Sequence, residues 1–556
     1  GHRIDHRDTP PGIISSMRTL IVGGVAGGMS AATRLRRMDE TAEIVVFEKS
    51  GHVSFANCGL PYYVGGVITR REALLLETPE SIHTRFQADV RVNTEVTAID
   101  REAKTVSVRD LTTGREYTES YDNLILAPGA APFVPPIPGA ERALVLRNVA
   151  DTDFMAAKVD EVLAGPEKSA VIMGGGFIGL ELAENFVEKG LKVTVVELAN
   201  QIMAPLDVEM AIRVQWELES RGVEVITGAS VTEIGEGTVT LSDGSTLPAG
   251  MVIAAIGVRP ESGLAGAAGL EVSDRGGIVV DDQQRTSDPS IFAVGDAVVK
   301  RDAITGDGAL VPLAGPANRH GRLVADVIAG RDVHSETVLG TAIVGLFGVQ
   351  AAATGWTEKR AVAAGRNIRV IHTHPDNHAG YYPGGEEMHL KLVIDADTDA
   401  ILGAQGVGGS GVDKRIDVIA TAMRGGLTAS QLADLELAYA PPFSSAKDPV
   451  NMLGFQAENI RDGLVETVQW HEVAGEADKG IQIIDVRTPI ELTRGMIDGA
   501  INIPIDELRD RIDEVAPDSI LYCWSGQRSY VGSRILSQLG RRVRSLDGGY
   551  RTWAGA

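Results

Sequence analysis

The chain carries two copies of one arrangement: an apolar strand runs into a glycine-rich turn, then a helix, then a second strand that ends in an acid. The later copy is regular. Gly174, Gly176 and Gly179 follow an apolar run at the spacing G-x-G-x-x-G, and Glu197 comes 18 residues after the last of them. Such glycines permit a tight turn and bring backbone N–H groups close to a pyrophosphate, while the acid accepts hydrogen bonds from a ribose. The sequence therefore predicts a dinucleotide site.

The residues after Glu197 favour one form of the dinucleotide. Leu198, Ala199 and Asn200 follow it, so no arginine stands there to meet a 2′-phosphate, and NADH is favoured over NADPH. The residues expected to bind it are Gly174, Gly176, Phe177, Ile178, Gly179, Glu197 and Gly257.

The earlier copy is irregular but lies in a similar setting. Residues 23–28 read GGVAGG, so Val25 stands where the middle glycine is expected, and Glu48 lies 20 residues after Gly28. Two later segments support a second nucleotide site. The apolar run 124–126 ends in a glycine turn, and the run 290–294 ends at Gly295 and Asp296.

This order of segments resembles the two-dinucleotide flavoprotein reductases, in which the first site holds FAD and the inserted second site holds NAD(P)H. The resemblance implies that Asp296 holds the ribityl chain of FAD, although alone it would serve equally well as a helix N-cap. The residues expected at the FAD site are Gly23, Gly24, Ala26, Gly27, Gly28, Glu48, Lys49, Asn57, Ala127, Gly129, Gly295 and Asp296.

The chain has two cysteines, and the first, Cys58, lies in residues 54–63 (SFANCGLPYY). Tyr63 occupies the place of the second cysteine of a C-x-x-x-x-C dithiol. A single thiol beside a flavin must form a mixed species with its substrate or become a sulfenic acid. The stretch closely resembles the single-cysteine coenzyme A disulfide reductases. The related NADH oxidases and peroxidases typically have a histidine in the first glycine loop, and residues 23–28 contain none, which favours the coenzyme A branch.

Segments far downstream resemble the dimerisation domain of that family. They are residues 379–384 (AGYYPG) and 438–448 (AYAPPFSSAKD). The resemblance implies a homodimer in which Tyr381 and Tyr439 reach the thiol site of the neighbouring subunit, where a phenol can donate a hydrogen bond or a proton to a leaving thiolate. Half-buried aromatic residues at a domain surface are the alternative for both.

Coenzyme A carries phosphates, so cationic and polar side chains must meet it although the net charge of the chain is −23. The candidates that the resemblance implies are Ser30, Arg34, Arg37, Ser54, Asn57, Asn318, Lys447 and Asn451. For Arg34 and Arg37, a solvated helix face is an equally good interpretation.

The second cysteine, Cys523, follows a short apolar strand. Residues 483–487 (IIDVR), 499–504 (GAINIP) and 546–550 (LDGGY) resemble the single-domain rhodanese module. The resemblance implies a loop of Trp524, Ser525, Gly526, Gln527 and Arg528 whose backbone N–H groups point inward. Such a nest stabilises an anionic persulfide, and Arg528 adds positive charge. A catalytically silent rhodanese fold is the alternative.

Together these segments predict an α/β protein with two Rossmann-like domains, an α+β dimerisation domain and a C-terminal α/β rhodanese domain. The expected limits are 17–145 and 275–336 for the FAD domain, 146–274 for the NAD(P)H domain, 337–455 for dimerisation, 456–466 for a linker and 467–556 for rhodanese. Residues 1–16 are expected to be a loose tail or a leftover of cloning, not a signal peptide.

Composition narrows the functional classes. The acidic charge disfavours nucleic acid as a partner. No apolar run reaches 18 residues, so no membrane helix is expected, and two isolated cysteines favour the cytosol. No metal is expected.

The sequence thus predicts an FAD-dependent NAD(P)H reductase of coenzyme A persulfide, polysulfide or disulfide. An NADH oxidase or peroxidase that cycles Cys58 through sulfenic acid, and a redox-sensing sulfur carrier, remain alternatives.

Overall fold

A computed structural model describes residues 16–556. The predicted tail therefore lies outside the described residues, except for Ser16. The chain divides into two compact units: one contains residues up to 133, 145–157 and 257–338, and the other contains 134–144, 158–256 and 339–556. Within residues 16–556, none of the helices is both long enough and apolar enough to cross a membrane. The elements confirm the predicted α/β fold class.

The first unit is built on a five-stranded parallel sheet. Its strands are, in spatial order, Ile291–Ala293, Asn123–Leu126, Arg18–Val22, Glu43–Phe47 and Asp89–Arg91. Parallel strands buried on both faces are continuously apolar, and Leu20 and Ile21 are accordingly fully buried. A second, antiparallel sheet contains Thr94–Asp100, Thr105–Asp110 and Glu116–Ser120. Short strand pairs are Ala130–Pro132 with Val258–Pro260, and Lys300–Arg301 with Gly308–Ala309.

Helix Ala26–Met38 packs against helix Ala314–Ile328. Gly27 and Gly28 lie inside its first turn. A side chain on Gly28 would come within 1.8 Å of the carbonyl oxygen of Gly23, so only glycine permits this close approach. The other helices are Leu60–Val64, Pro79–Phe86, Gly263–Ala267 and Val149–Ala164, the last of which begins in this unit.

The second unit opens with another parallel sheet. Its order is Glu224–Thr227, Lys192–Glu197, Ser169–Met173, Met251–Ala254 and Ala143–Leu144, with helices Phe177–Lys189 and Val208–Ser220. An antiparallel sheet of Val231–Ile234, Thr238–Leu241 and Thr246–Pro248 follows.

An antiparallel sheet comes next in this unit. Its order is Ala342–Leu346, Val349–Gly355, Ile401–Gly408, Met388–Asp395 and Ile368–Thr373, and its helices are Glu358–Ala363, Val412–Arg424 and Pro449–Arg461. Every residue of strand Met388–Asp395 is buried, including the polar residues His389 and Lys391, which therefore need partners.

Helix Pro449–Arg461 covers much of the polar segment 456–466 that was expected to be a linker. Its buried face includes Val450, Leu453 and Ala457, and Asp448 caps its first turn. Only residues 462–465 separate it from the next strand, so the connection to the last domain is a turn.

The last domain is a parallel sheet in the order Glu466–Val468, Arg542–Leu546, Asp518–Tyr522, Gln482–Asp485 and Ile501–Asn502. Its helices are Val473–Asp478, Gln527–Gln538 and Gly549–Trp553. The strand Asp518–Tyr522 places Cys523 directly at its carboxyl end.

Candidate functional site

The two glycine turns are held in the same way by the acids that follow them. The backbone N–H of Gly24 donates to Glu48 Oε2 over 2.7 Å, and that of Gly175 donates to Glu197 Oε2 over 2.8 Å. In each copy the last glycine lies against the carbonyl of the first, since a Cβ on Gly179 would be 2.2 Å from Gly174 O. The predicted turn residues are thus brought together with the predicted acids.

The second turn leaves room for a dinucleotide. A Cβ on Gly176 would meet no atom within 4 Å, so the start of helix Phe177–Lys189 offers the open backbone that a pyrophosphate needs. Phe177 is half-buried and Ile178 is exposed there. The residues present therefore fit the group that the sequence predicts.

Val25 precedes helix Ala26–Met38 as Gly176 precedes the second helix. Its side chain packs against the cluster of Phe55 and Leu60 that supports the segment around Cys58. Val25 therefore stands in the place of the middle glycine, and its side chain makes an apolar contact between the turn and the segment that carries Cys58.

The other predicted FAD residues converge on the first turn. Val294, directly before Gly295, would lie 2.9 Å from a Cβ on Gly27, and Ala127 donates its N–H to Val22. Burial raises the pKa of Asp296, and the ammonium of Lys300 opposes that shift. Lys300 is itself buried and donates to Gly295 O over 2.7 Å. Lys300 is not among the residues predicted for this site from the sequence.

Three predicted residues lie at the edge of this arrangement. Lys49 pairs with Glu95 over 2.8 Å at the surface. Gly129 and Gly257 adopt φ values of 74° and 106°, which favour glycine.

Cys58 is exposed in the short turn Asn57–Gly59, ahead of helix Leu60–Val64. The segment is tied to the first glycine turn, because Ser54 donates its N–H to Gly24 O over 2.9 Å. Ser54 has a left-handed φ of 47°, unusual for a residue with a side chain, and Asn57 is exposed. The structure thus places an accessible thiol beside the predicted FAD turn.

Two of the predicted coenzyme A residues meet directly. Ser30 Oγ donates to Asn318 Oδ1 over 2.7 Å at an exposed position. Arg34 forms an ion pair of 2.7 Å with Asp326, and Arg37 is exposed on the same helix. Arg36, which sequence reasoning passed over, is buried and donates to four backbone carbonyls, so its role is structural.

Tyr381 and Tyr439 lie side by side, with their hydroxyl oxygens 3.0 Å apart. They are 76% and 48% exposed. The hydrogen bond to Tyr439 raises the pKa of Tyr381, so Tyr381 keeps its proton at neutral pH. Phe443 beside them is 69% exposed, which leaves an aromatic surface on this domain.

The two remaining coenzyme A candidates differ. Lys447 is exposed, whereas Asn451 is 7% exposed. The amide of Asn451 donates to Leu432 O and Leu435 O and accepts from the N–H of Asp448. Because these bonds use its donors inside the domain, we remove Asn451 from the proposed coenzyme A site.

Cys523 is 1% exposed, and its Sγ accepts a hydrogen bond of 3.1 Å from the backbone N–H of Gly526. Residues 524–526 curl around the sulfur and lead into helix Gln527–Gln538. Arg528 pairs with Glu491 over 2.7 Å, and this pair lowers the pKa of Glu491 to about 2. Ser529, which no sequence pattern indicated, lies 3.8 Å from the sulfur. Of the inward-facing loop that the rhodanese resemblance implies, one backbone N–H, that of Gly526, is thus directed at the sulfur.

One group in the described part of the chain has the composition of a metal site. It contains His374, Glu387 and His389, with ligand atoms within 4.8 Å of one another. Burial, then the charges of Arg213 and Arg551, lower the pKa of His389 to about 2, and the pKa of His374 is lowered for similar reasons. Both imidazoles are therefore neutral.

The hydrogen bonds of this group have one consistent direction. The guanidinium of Arg213 can only donate, so His389 Nε2 accepts at 3.5 Å and its Nδ1–H donates to His374 Nδ1 at 2.8 Å. His374 then donates from Nε2 to Thr552 Oγ1 over 2.7 Å. In this arrangement the two histidines form a hydrogen-bond relay from Arg213 to Thr552.

Comparisons with known proteins agree with the geometry. Residues 17–319 match the family Pyridine nucleotide-disulphide oxidoreductase, residues 334–449 match its dimerisation domain, and residues 469–556 match the Rhodanese-like domain. The coenzyme A disulfide reductase of Staphylococcus haemolyticus is 34% identical over 444 residues, which are 80% of this chain and 100% of that protein.

Two solved structures resemble almost the whole chain. The crystal structure of reduced Bacillus anthracis CoADR-RHD is 48% identical with a TM-score of 0.95, and covers 97% of this chain and 98% of its own. The NAD-dependent persulfide reductase from A. fulgidus is 38% identical with a TM-score of 0.90, over 97% of this chain and 100% of its own. With its paired nucleotide turns, exposed thiol and rhodanese loop, the chain belongs to the pyridine nucleotide-disulphide oxidoreductase family and ends in a rhodanese-like domain.

Proposed function

We propose that the protein is an FAD-dependent NAD(P)H reductase of coenzyme A persulfide, polysulfide or disulfide, in which Cys523 carries sulfane sulfur and Cys58 forms a mixed disulfide with coenzyme A. One observation carries this proposal. Cys58 is exposed beside the first nucleotide turn, and the only other cysteine of the chain lies in the rhodanese loop. Cys58 therefore has no partner cysteine in its own segment, and a substrate with a sulfur–sulfur bond supplies the second sulfur. The reductases named above act on such sulfur substrates.

The first nucleotide turn, with Glu48 and Asp296, holds FAD, and the second, with Glu197, holds NADH. Bound FAD supplies the two electrons that split a disulfide at Cys58. Glu197 orients the nicotinamide dinucleotide by its ribose, and its charge opposes a 2′-phosphate.

The Cys58 thiolate attacks the coenzyme A sulfur of a persulfide. A Cys58–coenzyme A disulfide forms as the terminal sulfur leaves as hydrosulfide, and two electrons with one proton then return coenzyme A thiol and the Cys58 thiolate. With coenzyme A disulfide, the leaving group is a coenzyme A thiolate. The pair Ser30 and Asn318, with Arg37 on the same helix as Ser30, contacts the nucleotide end of coenzyme A.

The tyrosine pair acts on the leaving thiolate in a homodimer. Tyr381 and Tyr439 are exposed, so their hydroxyl groups can donate a hydrogen bond or proton to a sulfur of the second copy. The dimerisation domain and the aromatic surface around Phe443 support this assembly. The pair of isolated cysteines supports a reducing compartment, the cytosol.

Steady-state NADH oxidation with coenzyme A persulfide, polysulfide and disulfide tests the proposal. Cys58→Ser should reduce all three rates to background while FAD stays bound, because no other thiol can form the mixed disulfide. Cys523→Ser is the matched control. The Cys523→Ser variant should catalyse the reduction of free coenzyme A disulfide at a rate within about twofold of the wild-type rate. It should no longer transfer sulfur from thiosulfate.

Retained turnover in Cys58→Ser would contradict the role of that thiol. Loss of both activities in Cys523→Ser would show that the two thiols do not work separately. Rapid turnover with peroxide and none with the coenzyme A substrates would instead indicate an oxidase or peroxidase.

A further inference from the structure

The buried carboxylate of Asp547 links the rhodanese domain to the preceding sheet. Asp547 accepts a hydrogen bond of 3.0 Å from the backbone N–H of His372 and one of 2.7 Å from its Nδ1. On its other side, His372 Nε2 donates to Glu209 Oε1 over 2.8 Å. His372 is 1% exposed, so this contact is shielded from water.

Both nitrogens of His372 face carboxylates, so both carry hydrogen and the ring is cationic. Its surroundings require that charge, because Asp207, Glu209 and Glu358 already surround the single ammonium of Lys391. Burial alone would lower the pKa of His372, but the hydrogen bonds to Asp547 and Glu209 outweigh it and raise the pKa to about 9.

Asp547 begins the segment that closes over the sulfur-carrying loop. Gly548 and Gly549 follow it, both with positive φ. A Cβ on Gly548 would lie 2.8 Å from His372 Cβ, while one on Gly549 would lie 2.7 Å from Cys523 O. Two adjacent glycines therefore place His372 on one side of the segment and the backbone of Cys523 on the other.

Backbone hydrogen bonds complete the link. Tyr550 donates its N–H to Cys523 O and Arg551 donates to Trp524 O, each over 2.8 Å. The relay from Arg213 through His389 and His374 ends on Thr552 in the same short helix. A displacement at Asp547 must therefore move the backbone that carries the Cys523 sulfur.

We propose that His372 is a positioning residue for the Cys523 loop, which it holds through Asp547 in the conformation that keeps the sulfur buried. The inference rests on the proposed function of Cys523 as a sulfur carrier. His372 does not touch the sulfur. It sets where the loop lies, and so couples the sulfur site of the rhodanese domain to the buried charges of the reductase part.

Alkylation of the full-length protein with iodoacetamide at pH 7, followed by peptide mass mapping, tests the proposal. His372→Gln and Asp547→Asn should each raise the alkylation rate of Cys523 at least tenfold and leave that of Cys58 within twofold. The double variant should react no more than about threefold faster than the faster single variant, because both changes break the same contact.

His334→Gln is the matched control. His334 also lies between two carboxylates, Asp282 and Asp332, but it is exposed, so its loss should leave Cys523 protected. Loss of coenzyme A disulfide reduction would indicate that His372→Gln does not fold. In that case the alkylation rate of Cys523 in Asp547→Asn tests the proposal by itself, since this variant leaves the bond from His372 to Glu209 in place.

An unchanged Cys523 rate in Asp547→Asn would overturn the proposal. So would a double variant whose effect equals the product of the single effects, or a Cys58 rate that rises in parallel, which would indicate general loosening. Incubation of the wild type with thiosulfate tests the proposed function separately: no gain of one sulfur atom at Cys523 would refute the carrier role and leave the alkylation result intact.

Discussion

At the scale of single residues, Glu48 and Glu197 each have two duties. Each carboxylate accepts backbone N–H groups from its own glycine turn and from the residues after its strand. The acid therefore shapes the turn before any ribose arrives. This explains why an acid follows both turns at nearly the same distance although the glycine patterns differ.

Removal of the charge at Glu197 should relax the choice of nicotinamide coenzyme. Glu197→Gln keeps the size of the side chain but loses the repulsion of a 2′-phosphate and weakens the bonds to the ribose. We expect the kcat/KM ratio of NADH to NADPH to fall about tenfold, equivalent to about 1.4 kcal/mol. Steady-state kinetics with both coenzymes measure it.

Glu48→Gln is the control, since it makes the same change in the other turn. It should weaken FAD retention, seen in the absorbance of the purified protein, and leave the coenzyme ratio unchanged. An unchanged ratio in Glu197→Gln would mean that the choice is made elsewhere.

The residues that sequence could predict are those whose partners lie nearby in the chain. The glycines, the two acids and the loop after Cys523 all belong to short local patterns. The resemblance assigns Asn451 to the coenzyme A site, but its amide donates instead to the carbonyls of residues 432 and 435, which no local pattern reveals. The contact of His372 with Asp547 joins residues 175 positions apart, and neither lies in a pattern that mentions the other.

At the scale of elements, helix Pro449–Arg461 shows how composition misleads. Residues 456–466 are polar, yet the helix continues to Arg461 because the buried face that begins with Val450 and Leu453 extends into that segment at Ala457. The same reasoning applies to helix Ala26–Met38, where glycines normally weaken a helix but here allow it to approach a strand.

Gly454 makes this helix sensitive to size. A Cβ there would come within 2.1 Å of the backbone nitrogen of Ala433. Because backbone cannot yield cheaply, Gly454→Ala should lower the free energy of unfolding by about 1–3 kcal/mol. Urea denaturation followed by fluorescence measures the change.

Gly475 in helix Val473–Asp478 offers the comparison, since a Cβ there would meet nothing within 4 Å. Gly475→Ala should be neutral or stabilising by about 0.5–1 kcal/mol, because alanine favours helix. Equal effects of the two substitutions would show that crowding at Gly454 is not the cause.

At the scale of the whole molecule, His372 makes stability depend on pH. Its folded pKa of about 9 lies above the ordinary value of 6.5, so its contribution is fully present below pH 6.5 and is lost as pH rises through 9. The charged groups that face it directly or through Lys391 are Asp547, Glu209, Lys391, Asp207 and Glu358.

The Tm of the wild type should therefore exceed that of His372→Gln at pH 6–7, and the difference should shrink as pH passes 9. Calorimetry of both proteins from pH 6 to 10 measures it, with exposed His334→Gln as a reference that should follow the wild type. A difference that stays constant or widens would show that His372 is not cationic in the folded protein.

The short turn at residues 462–465 is a minor part of what joins the last domain to the sheet before it. Asp547, Arg551 and Thr552, together with Gln469, make side-chain links to that sheet, and the turn makes the backbone continuous. If the backbone were cleaved within that turn, the two fragments would thus remain associated as one noncovalent complex.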